Sequence, residues 1–166
     1  MFILVATIIF CLNAVAQKNP EPDRVIEYKN TPQGKLFLHT YYPDDWKNTD
    51  KRPAVVFFFG GGWSGGSYTQ FSRHADYLAS RGMVAFCADY RTKKNHQTEP
   101  KACVSDGKSA MRWIRGNADK LGVNPKKIIA GGGSAGGHVA ATTATIQAFD
   151  ESSDDLSISP KPQALL

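Results

Sequence analysis

Residues 128–138 read IIAGGGSAGGH, and within them Gly132 to Gly136 fit the pattern Gly-x-Ser-x-Gly around Ser134. A short apolar run precedes the glycines, as expected for a buried strand, and small residues with helical potential follow them. A serine on such a strand-to-helix turn has strained backbone angles, so small neighbours are needed for strand and helix to approach while the hydroxyl projects above the sheet. The stretch therefore predicts a parallel sheet with helices, and it makes Ser134 a candidate nucleophile at the carboxyl end of a strand.

The sequence around this turn continues the alternation of strands and helices. The 166 residues are 42% hydrophobic and 21% charged, a composition sufficient for one globular domain with a substantial core. Strands are predicted at 24–29 and 35–42, as an antiparallel hairpin, and at 54–59, 83–88, 127–130 and 162–166, as buried strands. Helices are predicted over 68–81, from a cap at Thr98 to about 121, and from the Ser134 turn to about 149. The fold class is therefore α/β, in which an antiparallel hairpin is followed by parallel strands with helices on both faces.

The first sixteen residues have the properties of a leader. They read MFILVATIIFCLNAVA, contain no charged side chain and end in the small-x-small sequence Ala14-Val15-Ala16. This pattern predicts a secretory signal peptide, residues 1–16, that is cleaved before Gln17. The apolar run is short for a bilayer span, so we expect no stable membrane anchor and a secreted or periplasmic protein with its domain over 17–166.

The number of cysteines and the distribution of charged residues bear on disulfide bonding, nucleic-acid binding and metal binding. Cleavage would remove Cys11 and leave Cys87 and Cys103, for which an oxidising compartment permits a bridge, although two separate buried thiols are the favoured interpretation. The net charge of +5 is spread over scattered lysine and arginine pairs without interleaved aromatic residues, so nucleic acid is not an expected partner. No Cys or His spacing resembles a metal site, and we expect no metal and no cofactor.

A second glycine motif, Phe59-Gly60-Gly61-Gly62-Trp63, directly follows the apolar run AVVFFF. Acyl transfer develops negative charge on a carbonyl oxygen, and glycines allow backbone N–H groups to point at that oxygen without obstruction by side chains. The amides of Gly61 and Gly62, together with the amide of Ala135, are therefore the predicted oxyanion-hole donors.

A dinucleotide site is the competing interpretation of this loop. Gly60-x-Gly62-x-x-Gly65 matches the fingerprint of nucleotide folds, and Asp89 ends the next strand, where an acid that binds ribose would lie. In those folds the third glycine lies inside the opening helix, whereas here residues 64–67 separate Trp63 from a helix start. A dinucleotide site would also leave Ser134 without a role, so this interpretation is the weaker one.

Four segments together resemble a known family. AVVFFFGGGW, ADYR (88–91), DGKSAMRWIR (106–115) and IIAGGGSAGGH, in this order, resemble α/β-hydrolase-fold serine esterases of the hormone-sensitive-lipase and bacterial acetyl- or feruloyl-esterase-like groups, and most of all secreted carbohydrate-ester hydrolases. The resemblance implies Ser134 as nucleophile, Gly61, Gly62 and Ala135 as oxyanion donors, and a small acyl ester or acylated carbohydrate as substrate. Most of these proteins have His before the three glycines, and Phe59 takes that position here.

The resemblance is incomplete in one respect, since hydrolases of this fold place their triad in the chain order Ser, acid, His, on loops after later strands. The acids that follow the serine, all ahead of the next strand, are Asp150, Glu151, Asp154 and Asp155. The one later histidine is His138, on the helix that starts at the serine, where packing beneath the loop is the expected role. The triad acid and histidine are thus not present in this chain, so we expect a domain incomplete at its carboxyl end and 166 residues that are inactive alone. The alternative is a non-catalytic carbohydrate-binding or scaffold relative.

Overall fold

A six-stranded sheet organises the part of the chain that the structure, a computed structural model, describes, residues 18–166. Its strands are β1 (Arg24–Thr31), β2 (Gly34–Tyr41), β3 (Arg52–Phe58), β4 (Val84–Ala88), β5 (Val123–Gly132) and β6 (Ala164–Leu165). The helices are α1 (Ser72–Ser80), α2 (Lys93–His96), α3 (Pro100–Gly116) and α4 (Ala135–Thr145), and a 3-10 turn, Tyr68–Gln70, precedes α1. The predicted leader and Cys11 lie outside the described residues.

The order of the strands across the sheet is β1-β2-β4-β3-β5-β6. The hairpin of β1 and β2 is antiparallel and joins the sheet by antiparallel pairing of β2 with β4. The strands β4, β3, β5 and β6 pair in parallel. An antiparallel hairpin followed by parallel strands is the predicted α/β-hydrolase architecture, which the structure confirms.

Helices cover both faces of the sheet, as the wholly apolar strands predicted. Alternate residues of β3 belong to two separate core clusters: Ala54, Val56 and Phe58 pack with α3 and α4, whereas Val55 and Phe57 pack with α1. Because side chains alternate across a strand, the two clusters are the two faces of one sheet. Burial of each such Val or Phe side chain contributes about 1.5–3 kcal/mol.

The order of connections reverses at β3. The chain passes from β3 to its neighbour β4 on one side and then crosses to β5 on the other side. In open α/β sheets, ligands bind outside the carboxyl ends of the strands at this kind of reversal. The segments that leave β3 and β5 there are the two glycine motifs.

The two helices that flank this region are shorter than predicted. The helix α4 ends at Thr145 rather than near Phe149, because the buried Lys108 ammonium donates to the carbonyls of Ile146 at 3.1 Å and Ala148 at 2.9 Å and draws that backbone away from the helix. The helix α3 ends at Gly116 rather than at about Leu121, where the Asn117 amide side chain and backbone N–H both donate to the Trp113 carbonyl.

The cap predicted at Thr98 is wrong by one residue. Glu99 is the N-cap of α3 and Pro100 its first residue, and the buried Thr98 hydroxyl has no hydrogen-bond partner in the described part of the chain. None of the helices within residues 18–166 has the length and apolar character that a membrane span requires.

The two described cysteines are separate thiols, as the favoured interpretation held. Cys87 and Cys103 are both free and buried, and they belong to the two different core clusters. Burial raises the pKa of Cys87 to about 12 and that of Cys103 to about 11. Cys87 therefore acts as a small apolar group, and the protonated Cys103 thiol donates to the Arg91 carbonyl at 3.1 Å.

Candidate active site

Ser134 lies on a strained turn between β5 and α4. Its backbone angles are φ 53° and ψ −118°, and the side chain is exposed. A residue with a side chain in such a conformation costs about 1–3 kcal/mol and persists only where its surroundings hold it. The strain and the exposure agree with the strand-to-helix turn predicted from the sequence.

The glycines around Ser134 are required because β3 lies against the turn. A Cβ atom on Gly132 would lie 2.4 Å from the Phe58 carbonyl oxygen, and one on Gly136 would lie 2.0 Å from the same oxygen. These separations are far below van der Waals contact, so any larger residue would force the start of α4 away from β3. The outer positions of Gly-x-Ser-x-Gly are therefore fixed by packing.

The second motif reaches the serine turn through strand register. Phe58 is the partner of Gly132 in the parallel pairing of β3 and β5, so the residues that follow each strand meet. Gly60 approaches so closely that a Cβ on it would lie 2.7 Å from the Gly133 carbonyl oxygen. Two motifs more than sixty residues apart in sequence thus form one site.

Phe59 lies where most of the esterases that the sequence resembles have histidine, and other side chains hold the loop. The Tyr90 hydroxyl donates to the Phe59 carbonyl at 2.5 Å, and the two rings stack with centroids 4.2 Å apart. The Gln70 side chain accepts a hydrogen bond from the Gly60 N–H at 2.5 Å. Burial raises the pKa of Tyr90 well above its ordinary value, which keeps its hydroxyl a donor.

The predicted oxyanion donors are backbone N–H groups without a protein acceptor. Within residues 18–166, the amides of Gly61, Gly62 and Ala135 donate no hydrogen bond to the protein. Ala135 begins α4, where first-turn amides lack partners and the helix dipole favours negative charge. Gly61 and Gly62 have φ of 140° and 60°, and the space beside Gly62 is open to 4 Å. The geometry leaves three donors near Ser134 for a ligand.

Each described histidine has a contact other than Ser134. The His138 ring accepts a hydrogen bond from the Trp63 indole N–H at 3.3 Å, so it fastens the glycine loop to α4. His39 lies between the Asp89 carboxylate, 3.3 Å away, and the ring of Tyr68. His96 accepts from the Thr92 N–H, and His74 contacts the rings of Phe57 and Phe71. Within residues 18–166 the Ser134 hydroxyl makes no hydrogen bond with any of them.

The acids that follow Ser134 form ion pairs with cationic side chains or hydrogen bonds within a turn. Asp150 pairs with Lys108 and Arg112, and Glu151 pairs with Lys29 at 2.8 Å and with Arg91 at 3.0 Å.

The next two acids have comparable partners. Asp154 accepts hydrogen bonds from Ser109 and Arg112, and Asp155 caps the backbone at Ser157. None of the four acids is paired with a histidine in the described residues.

A buried ion cluster surrounds Asp106 of α3. Asp106 has no exposed surface and accepts hydrogen bonds from Lys29 at 2.7 Å and from both the backbone and the guanidinium of Arg91. The role of Lys29 in this cluster was not predicted, because a lysine in an alternating edge strand carries no signal of a distant partner.

Comparison with known proteins identifies the family. The BD-FAE family model matches residues 38–164. The chain belongs to the BD-FAE family. Among solved structures, apo esterase 2 of the planctomycete Thermogutta terrifontis superposes on this BD-FAE chain with a TM-score of 0.86 and 46% identity over 90% of the chain. Carboxylesterase NlhH of Mycobacterium tuberculosis is 35% identical over 58% of the chain. A probable isoprenylcysteine alpha-carbonyl methylesterase of Arabidopsis thaliana is 31% identical over 85% of it.

The BD-FAE chain spans only part of these relatives. It covers 55% of the Thermogutta esterase chain, 30% of carboxylesterase NlhH and 28% of the Arabidopsis protein. The α/β-hydrolase fold and the family membership are therefore properties of this part of the protein.

Proposed function

We propose that the whole protein is a carboxylic-ester hydrolase that acts through an acyl-enzyme on Ser134. The observation that carries this proposal is the meeting of two motifs, which leaves an exposed strained serine beside three unpaired backbone donors. Its relatives include a carboxylesterase and an esterase, which supports ester hydrolysis as the reaction.

The geometry suggests a role for each group. The Ser134 hydroxyl oxygen attacks the ester carbonyl carbon while its proton passes to a general base, and the carbonyl oxygen becomes an oxyanion. The amides of Gly61, Gly62 and Ala135 donate to that oxyanion, and the loss of one such donor costs about 2.7–4 kcal/mol of transition-state stabilisation. The alcohol then leaves with a proton, and water attacks the acyl-enzyme to release the acid and restore the serine.

A general base is expected from a part of the whole protein other than residues 18–166. Each described histidine has another partner, and a serine without a base is a weak nucleophile. On this basis the 166 residues alone should turn over little or no ester, as expected from the sequence.

Small acyl groups on carbohydrate alcohols are the substrates we propose. The likeness to secreted carbohydrate-ester hydrolases, noted in the sequence, supports the alcohol part. The Thermogutta esterase has been solved with propionate bound and with butyrate bound, which supports a short acyl group. Export by the leader, residues 1–16, stays a prediction, since those residues lie outside the described range.

The test compares the wild-type whole protein with Ser134→Ala on p-nitrophenyl acetate, methyl ferulate and acetylated xylo-oligosaccharides. Ser80→Ala is the matched control, because Ser80 is an exposed serine at the end of α1. We expect Ser134→Ala to lose about 10⁴-fold or more in kcat and Ser80→Ala to lose nothing. A wild-type protein that binds these oligosaccharides without hydrolysing any ester would instead support the non-catalytic carbohydrate-binding relative.

A further inference from the structure

Three peptide units form a hydrogen-bonded chain that ends at the Gly62 N–H. The Lys93 N–H donates to the Trp63 carbonyl at 3.0 Å, and the N–H of the same Trp63–Ser64 peptide donates to the Gly61 carbonyl at 3.0 Å. The Gly61 carbonyl shares its peptide with the Gly62 N–H. Within the chain, a peptide that accepts a hydrogen bond at its carbonyl oxygen donates the next one from its own N–H. The last N–H in the series is that of Gly62.

The direction of the last N–H follows from this chain. The residues that the structure describes contain no cis peptide bond, and in a trans peptide the C=O and N–H groups point in opposite directions. The Gly61 carbonyl is held inside the loop by Ser64 N–H and, at 3.3 Å, by Gly65 N–H. The Gly62 N–H must then point the opposite way, out of the loop, and it has no acceptor among the described residues.

The chain begins on the short helix α2. Lys93 is its first residue, and the amides of a first helical turn have no intrahelical acceptor, so the Lys93 N–H is free to bind the loop. The next amide, Lys94 N–H, donates to the Ser64 carbonyl at 2.8 Å. The Thr92 carbonyl, in the same peptide as Lys93 N–H, accepts from His96 N–H at 2.9 Å and extends the chain into the helix.

The loop needs these ties because its backbone is strained. Gly62 and Trp63 are consecutive left-handed residues, with φ of 60° and 58°. For Trp63 this conformation costs about 1–2 kcal/mol. The start of α2 is itself anchored, since Arg91 is bound through its backbone and guanidinium to the buried Asp106.

We propose that α2 positions and polarises the Gly62 oxyanion donor through this peptide chain, with the Lys93 N–H as its first positioning group. Hydrogen bonds in series strengthen one another by about 10–30% each, and here the strengthened group is the one that would face the oxyanion. The inference rests on the proposed function, because Gly62 is an oxyanion donor only if Ser134 is acylated.

A proline at position 93 removes this N–H, and its Cδ atom, which takes the place of the hydrogen, also displaces the Trp63 carbonyl oxygen that the N–H binds at 3.0 Å. Proline is tolerated at the first position of a helix, and Thr92, with φ −130° and ψ 160°, already has the extended conformation that a residue before proline requires. Lys93→Ala is the matched control, since it removes the same side chain and keeps the N–H.

The experiment measures kcat and KM for p-nitrophenyl acetate, and the inhibition constant of a trifluoromethyl ketone, with the whole protein. The ketone forms a tetrahedral adduct with serine and so reports on the oxyanion donors directly. We expect Lys93→Pro to lower kcat about tenfold relative to Lys93→Ala, less than the loss of a complete donor. KM should stay unchanged, and the ketone should bind more weakly by the same factor.

Equal kcat and equal ketone affinity in Lys93→Pro and Lys93→Ala would overturn the inference. If Lys93→Pro fails to fold, an α-hydroxy acid incorporated at position 93 replaces the amide by an ester and removes the same N–H without a ring, with the same expected tenfold loss. A wild-type protein without Ser134-dependent hydrolysis would refute the proposed function instead, so the two failures are distinguishable.

Discussion

Gly136→Ala tests the packing that brings the two motifs together. Gly136 is the second residue of α4, and a Cβ atom on it would lie 2.0 Å from the Phe58 carbonyl oxygen and 2.5 Å from the Phe59 carbonyl oxygen. Both oxygens are backbone atoms at the end of the central strand β3, so no side-chain rotation relieves the clash. The helix must move away from the sheet by more than an ångström.

The expected destabilisation follows from two opposing effects. Forcing extra volume into a closely packed site costs about 1–3 kcal/mol, and the rigid backbone here places the change at the upper end of that range. Alanine gains up to about 1 kcal/mol over glycine in helix propensity, and the first turn of a helix gives only part of that gain. The net loss in the free energy of unfolding should be about 2 kcal/mol.

Urea unfolding of the whole protein measures this loss, with Gly65→Ala as the control. Gly65 lies in the glycine loop without a positive φ, and a Cβ on it would meet nothing within 4 Å. Gly136→Ala should lower the urea midpoint and slow hydrolysis of p-nitrophenyl acetate, whereas Gly65→Ala should do neither. Equal midpoints for the two variants would refute the argument that β3 fixes the serine turn.

Three further predictions concern charge and burial. The hydrogen bond from Lys29 lowers the pKa of Glu151 below its ordinary value of 4.5. The stabilising contribution of this carboxylate is therefore complete above pH 4.5 and is lost as the pH falls through the lowered pKa. Glu151→Gln should lower the urea midpoint at pH 7, and its difference from wild type should shrink as the pH falls below 4.5. Because burial raises the pKa of both thiols, Cys87 and Cys103 should resist iodoacetamide at pH 8 in the folded protein and react in urea, as peptide mapping by mass spectrometry would detect. Lys108→Met should cost about 1–3 kcal/mol in urea unfolding, because it leaves the Ile146 and Ala148 carbonyls without their donor and removes one of the two buried cations that pair with Asp150. Wild-type stability in this variant would contradict the structural role of that ammonium.

Local patterns in the sequence were sufficient for the sheet and for the meeting of the two motifs. The apolar run before Gly60 and the one before Gly131 each predict a buried parallel strand, and parallel neighbours bring their carboxyl ends to one edge. The exact register, in which Phe58 is the partner of Gly132, is visible only in the folded sheet, because no local pattern in the sequence specifies it.

Contacts between distant polar groups could not be predicted in the same way. The end of α4 depends on Lys108, which lies 38 residues before the Ile146 carbonyl that it binds, and a local helix pattern carries no trace of such a partner. The hydrogen bond between Trp63 and His138, and the hydrogen bonds that the α2 amides donate to the glycine loop, also join residues that are distant in sequence. The sequence predicted a role for the glycines of the loop. It did not predict the tertiary hydrogen bonds that determine how the loop is held.

The most direct test of the proposed esterase is to trap the acyl-enzyme. The whole protein is mixed with p-nitrophenyl acetate, quenched in acid within the first turnovers and digested, and the peptides are examined by mass spectrometry. The account predicts one acetyl group on Ser134, absent from Ser134→Ala. An ester hydrolysed at the wild-type rate by Ser134→Ala, or an acetyl group on another residue that is required for turnover, would contradict it.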